Sequence, residues 1–183
     1  MSLSSASRRC SPARFAEATL GLALAALPAQ GAVVCSGSST SMSLGTYYGD
    51  TATPTDSAGT FLLTCTRNGG AQNVTVTMGI GASGNSGSIA NRQMRTGSWP
   101  DALAYNLYRD AARLGVWGET VGVDTVSSSV SIPNNASRSV AFTIYGRIPG
   151  LQNVHTGFYS DTLVVTINYS GISASRRTVA STS

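Results

Sequence analysis

Asp161-Thr162-Leu163-Val164-Val165-Thr166-Ile167-Asn168-Tyr169 is the most regular stretch of the chain, and its reading decides the fold. Leu163, Val165, Ile167 and Tyr169 fall on one side of a two-residue repeat. Val164 falls on the other, among threonines and an asparagine. Successive side chains of a strand point to opposite faces, so this pattern predicts a strand with one face in a core.

The same period recurs back along the chain. Val140, Phe142 and Ile144 carry it, as do Val130 and Ile132 before them. Leu103, Tyr105 and Leu107 form another row, and Val74, Val76, Met78 and Ile80 another. Phe61, Leu63 and Cys65 share a face, and Ser41-Met42-Ser43-Leu44 begins the series. Turn-forming clusters separate the rows: Thr53-Pro54-Thr55-Asp56, Asn68-Gly69-Gly70, the glycine-rich 79–87, Pro133-Asn134-Asn135 and Pro149-Gly150. Residues 101–114 superficially suit a helix, but the alternation of Leu103, Tyr105 and Leu107 predicts a strand ending near Tyr108. Short strands, regular turns and one-sided polarity predict an all-β antiparallel sandwich.

Composition agrees. Charged residues are 11% of the chain, against the usual quarter or so, while 42% are hydrophobic, enough for a core. The cations number 12, all arginine, against 8 acids. The first 31 residues read as a secretory signal peptide: Arg8, Arg9 and Arg14 precede an apolar run from Ala18 to Leu27, then Pro28 and the small residues Ala29 and Gly31. Removing that leader takes three arginines and Glu17, leaving 9 against 7, or +2. A charge so small and scattered excludes a nucleic-acid partner, which requires a dense basic surface. The apolar run is too short to span a bilayer, so contact with a membrane is expected only during export.

Export also fixes the cysteine chemistry. Cys10 leaves with the leader, and Cys35 and Cys65 remain as an even pair in an oxidising compartment. A disulfide is expected, pinning the first strand to the second. It closes a loop of about 30 residues and contributes roughly 3.5 kcal/mol on the chain-entropy description. A metal pair or a cysteine nucleophile lacks partners, because His155 is the single histidine and no CxxC occurs.

Catalytic constellations are missing from the sequence. No G-x-S-x-G elbow is present, and the acids Asp50, Asp56, Asp101, Asp110, Glu119, Asp124 and Asp161 show no paired or metal-ligand spacing. The glycine-rich 79–87 lacks the lysine and helix of a phosphate loop and reads as a hairpin loop. His155, in Gln152-Asn153-Val154-His155-Thr156-Gly157, reads as a solvated loop histidine. Neither an enzyme nor a cofactor or metal is expected. Trp99 and Trp117 flank the 103–107 strand and are candidate contact residues, with core or rim packing as the competing reading. Arg147, in Tyr145-Gly146-Arg147-Ile148-Pro149, is expected to brace a turn or pair with an acid.

Several segments taken together resemble the spore coat U domain family, whose members include subunits of archaic chaperone–usher pili. They are Cys35, Leu44-Gly45-Thr46-Tyr47, Thr64-Cys65-Thr66, Asn91-Arg92-Gln93-Met94, Leu103 to Tyr108, Val116-Trp117-Gly118, Tyr145 to Pro149 and Gly157 to Thr162. They run in order from Cys35 to Tyr169. The resemblance implies an immunoglobulin-like sandwich lacking its last strand; the domain is expected over 32–170, followed by a polar tail over 171–183. It further implies a groove beside the final strand, lined by Leu163, Val165, Ile167 and Tyr169, that accepts a strand from a periplasmic chaperone and later from a neighbouring subunit. An outer-membrane usher is the remaining partner it implies.

Two departures refine that expectation. Only Ala32, Val33 and Val34 stand between the expected cleavage site and Cys35, too few for a donor strand, which suits a subunit at a fibre tip. The tail after Tyr169 is expected to be loose or else to act as donor itself, with Ile172, Ala174 and Val179 as a sparse apolar row. The functional expectation is a structural or adhesive subunit of a secreted surface assembly. Loops 79–90 and 109–122, with Trp117, are its candidate contact surfaces. The alternatives are a spore or cyst coat protein with the same domain and a secreted carbohydrate-binding or hydrolytic module.

Overall fold

The computed structural model describes residues 31–37, 41–169 and 172–181, with 172–180 as backbone. The expected leader lies outside the described residues except for Gly31, and so does Cys10. Ten strands and no helix occur among them. The first five are β1 (Val33–Gly37), β2 (Ser41–Ser43), β3 (Thr55–Arg67), β4 (Gln72–Ile80) and β5 (Arg92–Arg95). The others are β6 (Ala102–Tyr108), β7 (Val126–Ile132), β8 (Ala136–Ile148), β9 (Ser160–Tyr169) and β10 (Ile172–Ser181).

They form an immunoglobulin-like β-sandwich. One sheet runs β1-β3-β8-β6, and the facing sheet runs β7-β4-β9-β10-β2. β5 pairs with β6 and touches β9 through Arg95 and Ser160, so it joins the two at one side. Neighbouring strands are antiparallel except β10 and β2, which are parallel. The central neighbours β3 and β8 are 13 residues each and pair without a break from Thr55 opposite Ile148 to Arg67 opposite Ala136.

The two-residue rows explain why the sheets face each other. Phe61, Leu63, Val74, Val76, Met78, Leu103, Phe142, Leu163 and Val165 are all buried between them. The opposite faces carry hydroxyls that pair across strands: Thr64 with Ser139 at 2.8 Å, Thr66 with Ser137 at 2.7 Å and Thr77 with Ser127 at 2.7 Å. Such cross-strand pairs satisfy the solvent face without charge, which accounts for the low charge content. The segment 101–114 is a strand over Ala102–Tyr108, as its alternation predicts.

Cys35 and Cys65 are bonded and stand directly opposite each other in the β1–β3 ladder. The bond therefore joins the first strand to the third, since the short β2 intervenes in the chain.

Two expectations are corrected here. Trp117 is not a surface residue: it is 1% exposed, and its indole N–H donates to the Met78 carbonyl at 3.0 Å. The isolated motif Val116-Trp117-Gly118 sits in a loop, yet its ring fills the core because the Tyr108–Val116 bridge and the bond from Trp117 N to Leu107 O draw it inward. Residues 172–181 of the tail are not loose either: they form β10 at the β9 edge, the place that the other reading of the tail, as its own strand donor, gave them. β10 pairs with β9 from Ile172 opposite Tyr169 to Ser181 opposite Ser160. Its end runs alongside β2, with Val179 opposite Ser41, and Leu44 N–H donates to Ser181 O at 2.7 Å. An unpaired β9 edge offers a row of backbone donors and acceptors that a weakly apolar segment satisfies as well as an apolar one.

A buried arginine ties β5 into the core. Arg92 is fully buried and donates to Asn106 Oδ1 (2.6 Å) and to the carbonyls of Ile80 (2.8 Å), Gly81 (2.8 Å) and Trp117 (2.8 Å). Nearby, the Tyr105 hydroxyl donates to Asp161 Oδ2 at 2.8 Å, and burial with that carboxylate pushes the phenol far above its ordinary value. These two groups fix the 79–93 loop against both sheets.

Candidate functional site

Past the ends of β3 and β8, at the opposite end from the disulfide, two loops zip together. Leu151 N–H donates to Thr51 O at 2.9 Å, and Gln152 N–H donates to the Tyr47 hydroxyl at 2.6 Å. The Gln152 side chain then grips β6 in both directions: its Oε1 accepts from Ala104 N at 2.7 Å, and its Nε2 donates to Ala104 O at 2.9 Å. The close approach requires glycine at two positions. A Cβ on Gly49 would lie 2.7 Å from Gln152 O, and one on Gly150 would lie 2.6 Å from Ala52 O.

Between these loops is a pocket of about 660 Å3. Its floor is Leu103 and the buried Tyr159, and its walls come from residues 46–50 and 152–158. A volume of about 300–1,000 Å3 is usual for a small-molecule site.

One wall is built around His155. Its backbone N–H and its Nδ1 both lie against Asp101 Oδ2, at 2.7 and 2.6 Å. The Tyr159 hydroxyl donates to His155 O at 2.9 Å and reaches Asp101 Oδ2 at 3.4 Å. The His155 backbone and side-chain N–H groups hold the Asp101 carboxyl below the ordinary carboxylate range. Trp99 lies flat on the imidazole, with centroids 4.1 Å apart and planes 7° from parallel. The solvated loop histidine expected from sequence is therefore a stacked and oriented one, half exposed.

An oriented Asp–His pair suggests hydrolysis only if a nucleophile meets the free nitrogen. No hydroxyl or thiol hydrogen-bonds His155 Nε2 among the described residues, and no cluster of three metal-ligating side chains occurs among them.

The other residues singled out from sequence are spread over the molecule. Trp99 is half exposed beside the pocket. Leu163, Val165, Ile167 and Tyr169 are buried in β9. The edge expected to be open beside them is paired with β10. Arg147 lies within β8, not in a turn, directly opposite Asp56 in β3. It binds that carboxylate through Nε (2.7 Å) and a terminal nitrogen (2.8 Å), and Arg113 adds a third contact at 3.2 Å. Loop 79–90 is cross-linked: Asn85 Nδ2 donates to Gln93 O, Ser160 O and Asp161 Oδ1. Loop 109–122 leaves Leu114 and Val121 exposed.

Fold and site together define a disulfide-bonded β-sandwich whose loop pocket holds neither a nucleophile–base pair nor a metal cluster among the described residues. The chain belongs to the Spore Coat Protein U domain family, which matches residues 21–166. That family is structural, related to coats and pili. A relative, "Protein U" of Myxococcus xanthus, is 36% identical over 97 residues. The matched stretch spans about half of each protein, 51% of this chain and 51% of that one. Solved structures with some likeness include a mutant of CfaE, the CFA/I adhesin of enterotoxigenic E. coli. It is 11% identical with a TM-score of 0.46, covering 80% of this chain and 46% of that one. Another is a family 123 glycoside hydrolase from Clostridium perfringens, 12% identical with a TM-score of 0.29, covering 82% of this chain and 26% of that one. Both overlays are partial, and neither bears on function.

Proposed function

We propose that this chain is a structural subunit of a secreted surface assembly of the chaperone–usher pilus type, joined to its neighbours by strand addition at the β9 edge. The observation that carries the reading is the β9–β10 register. Tyr169, Ile167, Val165 and Leu163 are buried, and the residues paired with them are Ile172, Ala174, Arg176 and Thr178. Opposed residues in an antiparallel pair share a face. A donor with a large apolar residue at each of those four positions has more apolar surface to bury than β10, which offers one. Residues 172–181 thus act as an internal occupant that a better strand replaces. A periplasmic chaperone and then a neighbouring subunit supply that strand, and an outer-membrane usher passes the subunit to the cell surface.

The test uses the full mature chain and a chain ending at Tyr169. The shortened chain is expected to aggregate alone and to become monomeric with a ten-residue peptide of alternating large apolar residues. The full chain is expected to take up the same labelled peptide slowly. A shortened chain that is monomeric and stable by itself, with a full chain indifferent to the peptide, refutes strand addition. Immunogold labelling of fibres then separates positions: label at fibre ends alone assigns the tip, and label along the shaft assigns an internal place.

The match to "Protein U" supports a second reading, a coat subunit using the same domain. Genes for a chaperone and an usher beside this one favour the pilus, and their absence favours the coat.

A further inference from the structure

We infer that the pocket between residues 46–50 and 152–158 is a binding site for a neutral saccharide. The inference stands whatever the subunit assembles into. Three aromatic side chains are exposed among the described residues, Tyr48 at 64%, Phe158 at 63% and Trp99 at 48%; Tyr48 and Phe158 line this pocket, and Trp99 stacks on His155, which lines it too. Every other described aromatic residue is buried or half-buried. Rings left in water around one concavity offer flat π faces to the C–H face of a pyranose, an amphipathic match that a wholly apolar ligand does not need.

The polar groups suit hydroxyls. Asp50, Asn153 and Thr156 line the walls and make no side-chain hydrogen bond among the described residues. A carboxylate accepts, an amide both donates and accepts, and a hydroxyl does either, which is the inventory that vicinal sugar hydroxyls require.

Charge narrows the class to neutral sugars. Neither arginine nor lysine lines the pocket, and its single cation-capable group, His155, already gives Nδ1 to Asp101. Asp50 in the lining would repel sialic acid, sulfate or phosphate.

The site binds and does not hydrolyse. Glycoside hydrolysis ordinarily needs two free carboxyls flanking the scissile bond, and Asp50 is the single acid in the lining. Asp101 Oδ2 is taken by His155 and Tyr159, and its pKa moves down. The walls are also fixed beforehand by Gln152, Tyr47 and Leu151, so little ordering opposes a small ligand.

The test is a glycan array probed with the full mature chain. It carries neutral hexose-terminated mammalian glycans, neutral glucans such as laminaritriose and cellotriose, and sialylated and sulfated counterparts. Binding to neutral members is expected, and which neutral set binds separates a host-cell source from a microbial polysaccharide. Titration with the best neutral oligosaccharide is expected to change tryptophan emission. Of the chain's two tryptophans, Trp117 is buried, so the change reports Trp99. Tyr48→Ala and Phe158→Ala, both at exposed positions, are each expected to weaken binding about tenfold, or about 1.4 kcal/mol, with the melting temperature unchanged. Binding confined to sialylated or sulfated glycans overturns the inference, as does neutral binding undiminished in both variants. If no glycan binds but the variants lose adhesion to polystyrene, the rings are an apolar contact surface and the saccharide site is refuted. If no glycan binds and the variants lose nothing, it is refuted equally.

Discussion

Replacing Arg176 by Val and Thr178 by Ile should tighten β10 onto the sandwich. The two positions pair with Val165 and Leu163, each 1% exposed. Burying one aliphatic side chain of this size contributes about 1.5–3 kcal/mol. Imperfect fit takes back about 1–3 kcal/mol in a crowded core. A net gain of about 3 kcal/mol for the pair is therefore expected, or about 6–12 °C in melting temperature for a domain of this size. Urea unfolding followed by Trp117 emission reads the gain as a higher midpoint at unchanged slope. If a donor peptide enters only after β10 leaves, the same 3 kcal/mol slows its uptake about a hundredfold. A midpoint that stays or falls means that Arg176 and Thr178 do not share the buried face. A raised midpoint with unchanged peptide uptake means that exchange does not require β10 to leave, and internal occupancy of the groove is then wrong.

Arg92→Met should cost about 3–5 kcal/mol, because Asn106 Oδ1 and the carbonyls of Ile80, Gly81 and Trp117 lose their shared donor inside the core; a urea midpoint near wild type would refute this. Reducing Cys35–Cys65, which closes a separation of 30 residues, should cost roughly 3.5 kcal/mol, read as the difference in unfolding free energy with and without reductant. Asp56 is held below its ordinary 3.8, chiefly by its bond to Arg147 and further by the charges of Arg113 and Arg147. A lowered folded pKa stabilises above the unfolded value and is lost as pH falls through the folded one, so this pair weakens only below about pH 4. Its partial exposure keeps the effect under about 1 kcal/mol, and Asp56→Asn should flatten that part of the stability profile between pH 4 and 2. Acrylamide should quench Trp99 and leave Trp117 untouched, so equal quenching of both tryptophans would contradict the burial of Trp117.

The two-residue rows of Leu163 to Tyr169, Val74 to Ile80 and Phe61 to Cys65 determined the strands, because a half-buried sheet forces that alternation on each strand separately. The even cysteine count left after the expected leader pointed to the disulfide, and the β1–β3 register places its two cysteines opposite each other. The pocket is different. Its walls come from residues 46–50 and 152–158, brought together by Gln152 bonding across to Tyr47 and Ala104, and Trp99 joins them through its stack on His155. Asp101 and His155 are 54 positions apart, and no spacing rule connects them. Trp117 could pack in the core or stand exposed as far as its sequence shows, and its burial follows from the Val116 bridge to Tyr108, which closes only in three dimensions. β10 shows the limit most directly: its sequence lacks a continuous apolar row, yet β9 presents an open line of backbone hydrogen-bonding groups, and an edge of that kind selects a partner by position before side chains select it by affinity.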